Sequence, residues 1–161
     1  MELLTETEKG LSSYEIERDK PMPSKNHAYI QDNLSFAFNL RYRKEYKLLH
    51  EISLDTPDKG TVPDMAIYPK FALDVRHDVI KISEPPLVTI EILSPEQKLQ
   101  DLVDKTYRYF AFGVKSCWIV LPTLKTIMVY SDVDTFEYIK GDTVLKDPNL
   151  GFELSINEIF Q

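Results

Sequence analysis

Residues 87–122 read LVTIEILSPEQKLQDLVDKTYRYFAFGVKSCWIVLP. The opening LVTIEIL is rich in β-branched residues and apolar on both faces, with Val88, Ile90 and Ile92 on one side and Thr89, Glu91 and Leu93 on the other. Such a run predicts a central strand. SPEQ predicts a helix start: Ser94 as N-cap, Pro95 at the first helical position and Gln97 three residues on make a capping box. The helix runs through KLQDLVDKTYRYFAF and ends at Gly113, a C-cap residue. SCWIVLP, again apolar throughout, predicts a second central strand.

Working outward, TVPDMAIYP and YKLLHEIS read as strands on the N-terminal side, each bounded by Pro, Asp or Gly. Before them, KNHAYIQDNLSFAFNLRY carries His27, Ile30, Leu34, Ala37 and Phe38 at helical spacing, with Ser24 as its N-cap. YEIERDKPMPS reads as a short strand closed by its prolines, after about ten polar lead-in residues. On the C-terminal side, KTIMVYS and TFEYIKG predict a hairpin near a sheet edge, and the amphipathic LGFELSINEIF is expected to dock back onto the core. No repeat, heptad run or flexible linker divides the chain, so residues 1–161 are read as one α/β (α+β) domain with a single sheet flanked by helices.

The 161 residues carry 19 Lys+Arg against 26 Asp+Glu, a formal charge of −7, and 43% are hydrophobic. That is enough apolar material for one core, which excludes disorder as a whole-chain description. The acidity argues against an obligate nucleic-acid coat or an anionic-membrane binder, though a small local basic groove remains compatible with it. Arg41, Arg43, Lys44 and Lys47 form the one basic cluster noted, readable as a solvated helix end or as a DNA contact. The single cysteine, Cys117, sits in an apolar run and reads as a buried thiol, in keeping with a reducing compartment. No stretch is long and apolar enough for a membrane span and no secretory pattern opens the chain, so a cytoplasmic protein is expected.

Glu91 is the anomaly. An unpaired carboxylate in the most buried strand would cost several kcal/mol, about 2–7 even for a neutral polar group, so it needs a partner. A structural salt bridge is the ordinary answer, and Asp64, following Pro63 at a strand entry, is by itself an ordinary turn residue. Together the two acids would make an oxygen-lined site suited to a hard divalent ion. On the following helix Asp101, Lys105 and Tyr109 share the i, i+4, i+8 spacing, which would turn one face, and a lysine, toward the strand ends.

These residues resemble a family. Pro63-Asp64, Glu91-Ile92-Leu93-Ser94-Pro95, Asp101, Lys105, Tyr109, Gly113-Val114 and Trp118 are similar in order and spacing to the Uma-two family, bacterial proteins to which an endonuclease role is assigned, within the PD-(D/E)xK restriction endonuclease-like superfamily. YEIERDKPMPSKNH and GFELSINEIF resemble the family's ends more loosely. The resemblance implies a restriction endonuclease-like fold with a central mixed sheet, and a metal-dependent endonuclease cutting DNA. It implies Asp64 and Glu91 as ligands of Mg²⁺ or Mn²⁺, the carbonyl of Ile92 as a third, Lys105 as the group that positions the water, and Glu15 or Glu17 as an upstream acid. Glu15 directly follows the matching Tyr14. Two departures stand out: Leu93 occupies the place of the superfamily's usual lysine, which Lys105 would replace, and Leu121 precedes Pro122 where many relatives have Asp. His27 is read as a core or near-site histidine, Trp118 as core, and Gln97 and Asp101 as caps or supporting partners. Nucleases of this kind often act as dimers, and the hairpin from Lys125 to Lys140 is the candidate contact for a homodimer.

The competing reading is a catalytically inert module that keeps the nuclease fold for binding or oligomerisation. Other chemistries lack parts: a glycosidase would need a sugar platform, a nucleophilic hydrolase an elbow motif, and zinc more than one Cys and three scattered His.

Overall fold

A computed structural model describes residues 20–161 of the chain. Residues 14–19 of the strand read into YEIERDKPMPS, Glu15 and Glu17 among them, lie outside the described residues, and Lys20–Ser24 is not a strand.

The first helix, α1 (Lys25–Tyr42), starts where Ser24 Oγ accepts from the His27 amide at 3.1 Å, and buries His27, Ile30, Leu34, Ala37 and Phe38, the stripe read from the sequence. The main sheet has six strands in the order β1 (Tyr46–His50), β3 (Met65–Pro69), β5 (Val88–Ile92), β6 (Ser116–Leu121), β7 (Thr126–Asp132) and β8 (Thr135–Lys140). All neighbours are antiparallel except β5 and β6, which pair in parallel. A parallel pair needs a long crossover, and α2 (Leu99–Phe112) supplies it. Both parallel strands are buried at every residue, as their two-sided apolar composition requires. The edge strand β8 is the most exposed.

Two short strands, β2 (Ser53–Leu54) and β4 (Lys81–Ile82), pair in parallel beside the sheet. Near the C-terminus β9 (Val144–Lys146) and β10 (Glu153–Ser155) form an antiparallel pair that leads into α3 (Ile156–Phe160). The sheet separates two cores. On one face α1, α3 and the β9–β10 pair meet Val88, Ile90 and Ile92; on the other α2 meets Cys117, Ile119 and Met128. The C-terminal segment thus docks as expected, burying Phe152, Leu154, Ile156 and Ile159. Arg41 of the basic cluster ties α1 to α3 through two 2.9 Å bonds to Glu158, so it serves as an inter-helix clamp.

Two expectations need correction. SPEQ does not open the helix. Ser94–Gln97 is a separate turn closed by the Gln97 amide on the Ser94 carbonyl at 3.0 Å, Lys98 is extended, and α2 begins at Leu99 without a side-chain cap. Only the Gln97 half of the capping box forms, at 3.4 Å, because Leu93 is still bonded to Val120 in the sheet and the chain must leave it before it can coil. The buried face of α2 is Leu102, Lys105, Thr106 and Tyr109, and Asp101, in the first turn, is exposed rather than grouped with Lys105 and Tyr109. Gly113 does end the helix, at φ 114°, a region closed to most side chains.

Candidate functional site

Asp64 sits on the bend that enters β3, and Glu91 on the α2-facing side of β5. The period of two keeps Glu91 off the face that packs on α1, so it lies with Tyr109, Cys117 and Ile119 on the α2 side of the sheet. Both acids are almost wholly buried, at 0% and 2% exposure, and neither is left as a bare charge.

Asp64 Oδ1 accepts from Lys20 Nζ at 2.6 Å, and Oδ2 accepts from the Ile92 amide at 2.7 Å. His27 Nε2 lies 3.0 Å from the same Oδ2, and since an ionised carboxylate only accepts, the ring donates from Nε2. Burial alone would raise the Asp64 pKa, but the His27 bond, the Lys20 charge and the Ile92 amide overcome it, and the carboxyl is held far below the ordinary range. Glu91 Oε1 accepts from the Tyr109 hydroxyl at 2.6 Å and has Lys105 Nζ 3.7 Å away, while Oε2 faces Lys20 at 3.7 Å. Burial and the adjacent Glu91 keep the Tyr109 hydroxyl well above its usual pKa, so it stays a donor.

Lys20 is therefore the centre of the cluster, with Glu51 Oε2 as a third carboxylate at 3.8 Å. Burial works against its ammonium, and the charges of Glu91, Asp64 and Glu51 more than compensate, so its pKa stands above the ordinary lysine value. Lys105 is buried as well, and its Nζ makes no hydrogen bond among the described residues, as is true of Glu91 Oε2.

The residues singled out in the sequence fare differently. Asp64, Glu91 and Lys105 converge; Tyr109 and His27 join them through direct bonds to the two acids. Asp101 stays outside, and at Ile92 it is the amide that meets Asp64. Glu15 and Glu17 lie outside the described residues. Lys20 was missed because no pattern marks a lysine beside a proline; the one available signal was that two buried acids demand a second cation. A second omission is Asp147, buried in the β9–β10 loop, which accepts from Ser116 Oγ, Trp118 Nε1 and the amides of Asn149 and Leu150. Cys117 is the inert thiol expected: burial pushes its pKa up to about 12.

Residues 11–157 match the profile of the Uma2 family, described as "Putative restriction endonuclease". The chain belongs to the Uma2 family. Among solved structures it is similar to "a putative nuclease belonging to DUF820" from Anabaena variabilis, with a TM-score of 0.76 and 24% identity over 87% of this chain and 83% of that one. That likeness shows the fold. No curated protein matches the chain. No helix among the described residues is long and apolar enough to cross a membrane.

Among the described residues no three His, Cys, Asp or Glu side chains are grouped so as to hold a metal ion. Two carboxylates do share one cation, however, and one of their buried oxygens, Glu91 Oε2, makes no hydrogen bond among the described residues. An all-oxygen set of one or two carboxylates is the kind that Mg²⁺ or Mn²⁺ accepts, so the donor chemistry fits a hard divalent ion.

Proposed function

We propose that this Uma2 protein is a metal-dependent endonuclease that hydrolyses DNA phosphodiester bonds, with residues 1–161 acting as one restriction endonuclease-like domain in the cytoplasm. The observation that carries the reading is the convergence of Asp64, Glu91 and Lys105 beside the carboxyl end of β5, in a chain whose family is assigned to restriction endonucleases. Asp64 and Glu91, with the Ile92 carbonyl and Glu15 or Glu17, would hold Mg²⁺ or Mn²⁺. The ion, when bound, would activate a water and offset charge on the phosphate.

The chain's own residues have definable tasks. His27 and the Ile92 amide fix the orientation of Asp64, and Tyr109 does the same for Glu91. Lys105 places a positive charge beside Glu91 in a buried site of low dielectric, where a fixed charge acts strongly on a reacting phosphoryl group and on the water attacking it. The exposed edge strand β8, carrying Phe136 and Tyr138 outward, is the surface through which a homodimer would form.

One observation favours the inert module instead: Asp64 and Glu91 are balanced by Lys20 and Lys105, so their charges are already met from within. The deciding experiment is plasmid nicking with Mg²⁺ or Mn²⁺ across a pH series, comparing wild type with Asp64→Ala, Glu91→Ala and Lys105→Ala. Activity is expected in wild type and lost in each variant. Equal activity in all four proteins would mean a contaminating nuclease and end the reading. No activity in wild type, together with no calorimetric metal binding at millimolar concentration, would establish the inert module.

A further inference from the structure

The most unusual feature of the site is what lies between its two acids. Lys20 Nζ is 2.6 Å from Asp64 Oδ1 and 3.7 Å from Glu91 Oε2, with its side chain 3% exposed. It stands where a cation shared by both carboxylates must stand. We propose that the Lys20 ammonium is the resident counter-cation of the Asp64–Glu91 pair, and that a divalent ion enters only by exchange with it. The inference rests on the reading of Asp64 and Glu91 as metal ligands.

Charge and position both favour exchange over addition. Lys20 already supplies the positive charge shared by Asp64 and Glu91, so a divalent ion held by the same two carboxylates would stand against the ammonium at close range in a buried site. Of the Asp64 oxygens, Oδ2 meets both His27 and the Ile92 amide while Oδ1 meets Lys20, so the lysine contact is the one a metal could replace without disturbing β5. Lys20 belongs to no helix or strand, and directly precedes Pro21, Met22 and Pro23 in the lead into α1. Glu51, half-exposed at 3.8 Å, offers the ammonium a partner nearer the surface. Lys20 is thus a gate on metal occupancy, a positioning residue that keeps a pair of buried acids together until a stronger cation displaces it.

The test is a comparison of wild type, Lys20→Met, Lys20→Gln and the double variant Lys20→Met with Asp64→Asn, by thermal unfolding and calorimetry with Mn²⁺ as the probe. In EDTA both single variants should melt below wild type, because two acids lose their shared cation. Mn²⁺ should restore them, giving a larger rise in Tm than in wild type and an apparent Kd at least about tenfold tighter, since the competing ammonium is gone. The double variant should lose that response. Mn²⁺ affinity equal in wild type and both single variants, and abolished by Asp64→Asn, would overturn the exchange while leaving the metal-site reading intact. No Mn²⁺ response dependent on Asp64 in any of the proteins would overturn both. If Lys20→Met fails to fold in EDTA, folding on addition of Mn²⁺ supports the exchange, and Lys20→Gln supplies the binding comparison.

Discussion

Replacing Tyr109 with Phe removes one oxygen and leaves the ring that fills the space between α2 and the sheet. Its hydroxyl donates to Glu91 Oε1 at 2.6 Å, the short distance typical of a bond to an ionised acceptor. Such bonds contribute about 1.5–3 kcal/mol net. The upper part of that range applies, because Tyr109 is 1% exposed and water cannot take the hydroxyl's place. Glu91 would then have no hydrogen bond among the described residues: Lys105 is 3.7 Å away, and Oε2 has no such bond. We expect a loss of about 2–3 kcal/mol, or roughly 5–10 °C in Tm for a domain of this length. Urea unfolding at neutral pH, with an unchanged m-value, measures it. A double-mutant cycle with Glu91→Leu isolates the bond, since Tyr109→Phe should cost under about 0.5 kcal/mol once the carboxylate is gone. A loss below about 0.5 kcal/mol in the single variant, or the same loss in both backgrounds, would show that Tyr109 only packs and does not hold Glu91.

Asp147→Ala should destabilise by about 3–5 kcal/mol, leaving the Trp118 indole and Ser116 hydroxyl without their acceptor; thermal melts followed by tryptophan fluorescence check it, and a shift within the error of the melt would contradict it. Gly113→Ala should cost about 1–2 kcal/mol through its φ of 114°, with a new Cβ only 3.1 Å from Pro85 Cγ; chemical denaturation of the variant would expose an error as unchanged stability. The pH dependence has two arms. The Asp64 contribution is present above the unfolded value of 3.8 and fades as pH falls through its lowered folded pKa. The Lys20 contribution is complete below 10.5 and fades as pH rises through its raised folded pKa. Denaturation midpoints measured across pH should decline at the alkaline end in wild type, and an identical decline in Lys20→Met would assign that arm to another group.

What could be read in the chain depended on how local the determining physics was. The stripe of α1 and its Ser24 cap, the two-sided burial of β5 and β6, and the Gly113 stop are set by neighbours within a few residues, and all are present as read. The SPEQ reading failed because a local capping preference met a tertiary demand: Leu93 stays in the sheet, so coiling starts later. Within α2, Lys105 and Tyr109 reach Glu91, while Asp101, in the exposed first turn, does not. At the site, Glu91 declared itself through its surroundings, since an acid in an apolar strand demands a partner. Lys20 and Asp147 did not, because their neighbours in sequence say nothing of partners 44 and 29 residues away.

The Asp147 contact also bears on the order in which the protein is made. The carboxylate that closes the Trp118 indole is added to the chain 29 residues after it. On the ribosome, the segment carrying Glu91, Lys105 and Tyr109 therefore emerges before β6 can satisfy its buried donors, and before Phe152, Leu154 and Ile159 arrive to cover α1. A nascent chain released early would hold the site residues without the clasp that fixes the strand beside them. Truncation within the β8–β9 loop would remove Asp147 together with Phe152, Leu154 and Ile159, leaving β6 with two buried donors and α1 with part of its apolar stripe uncovered.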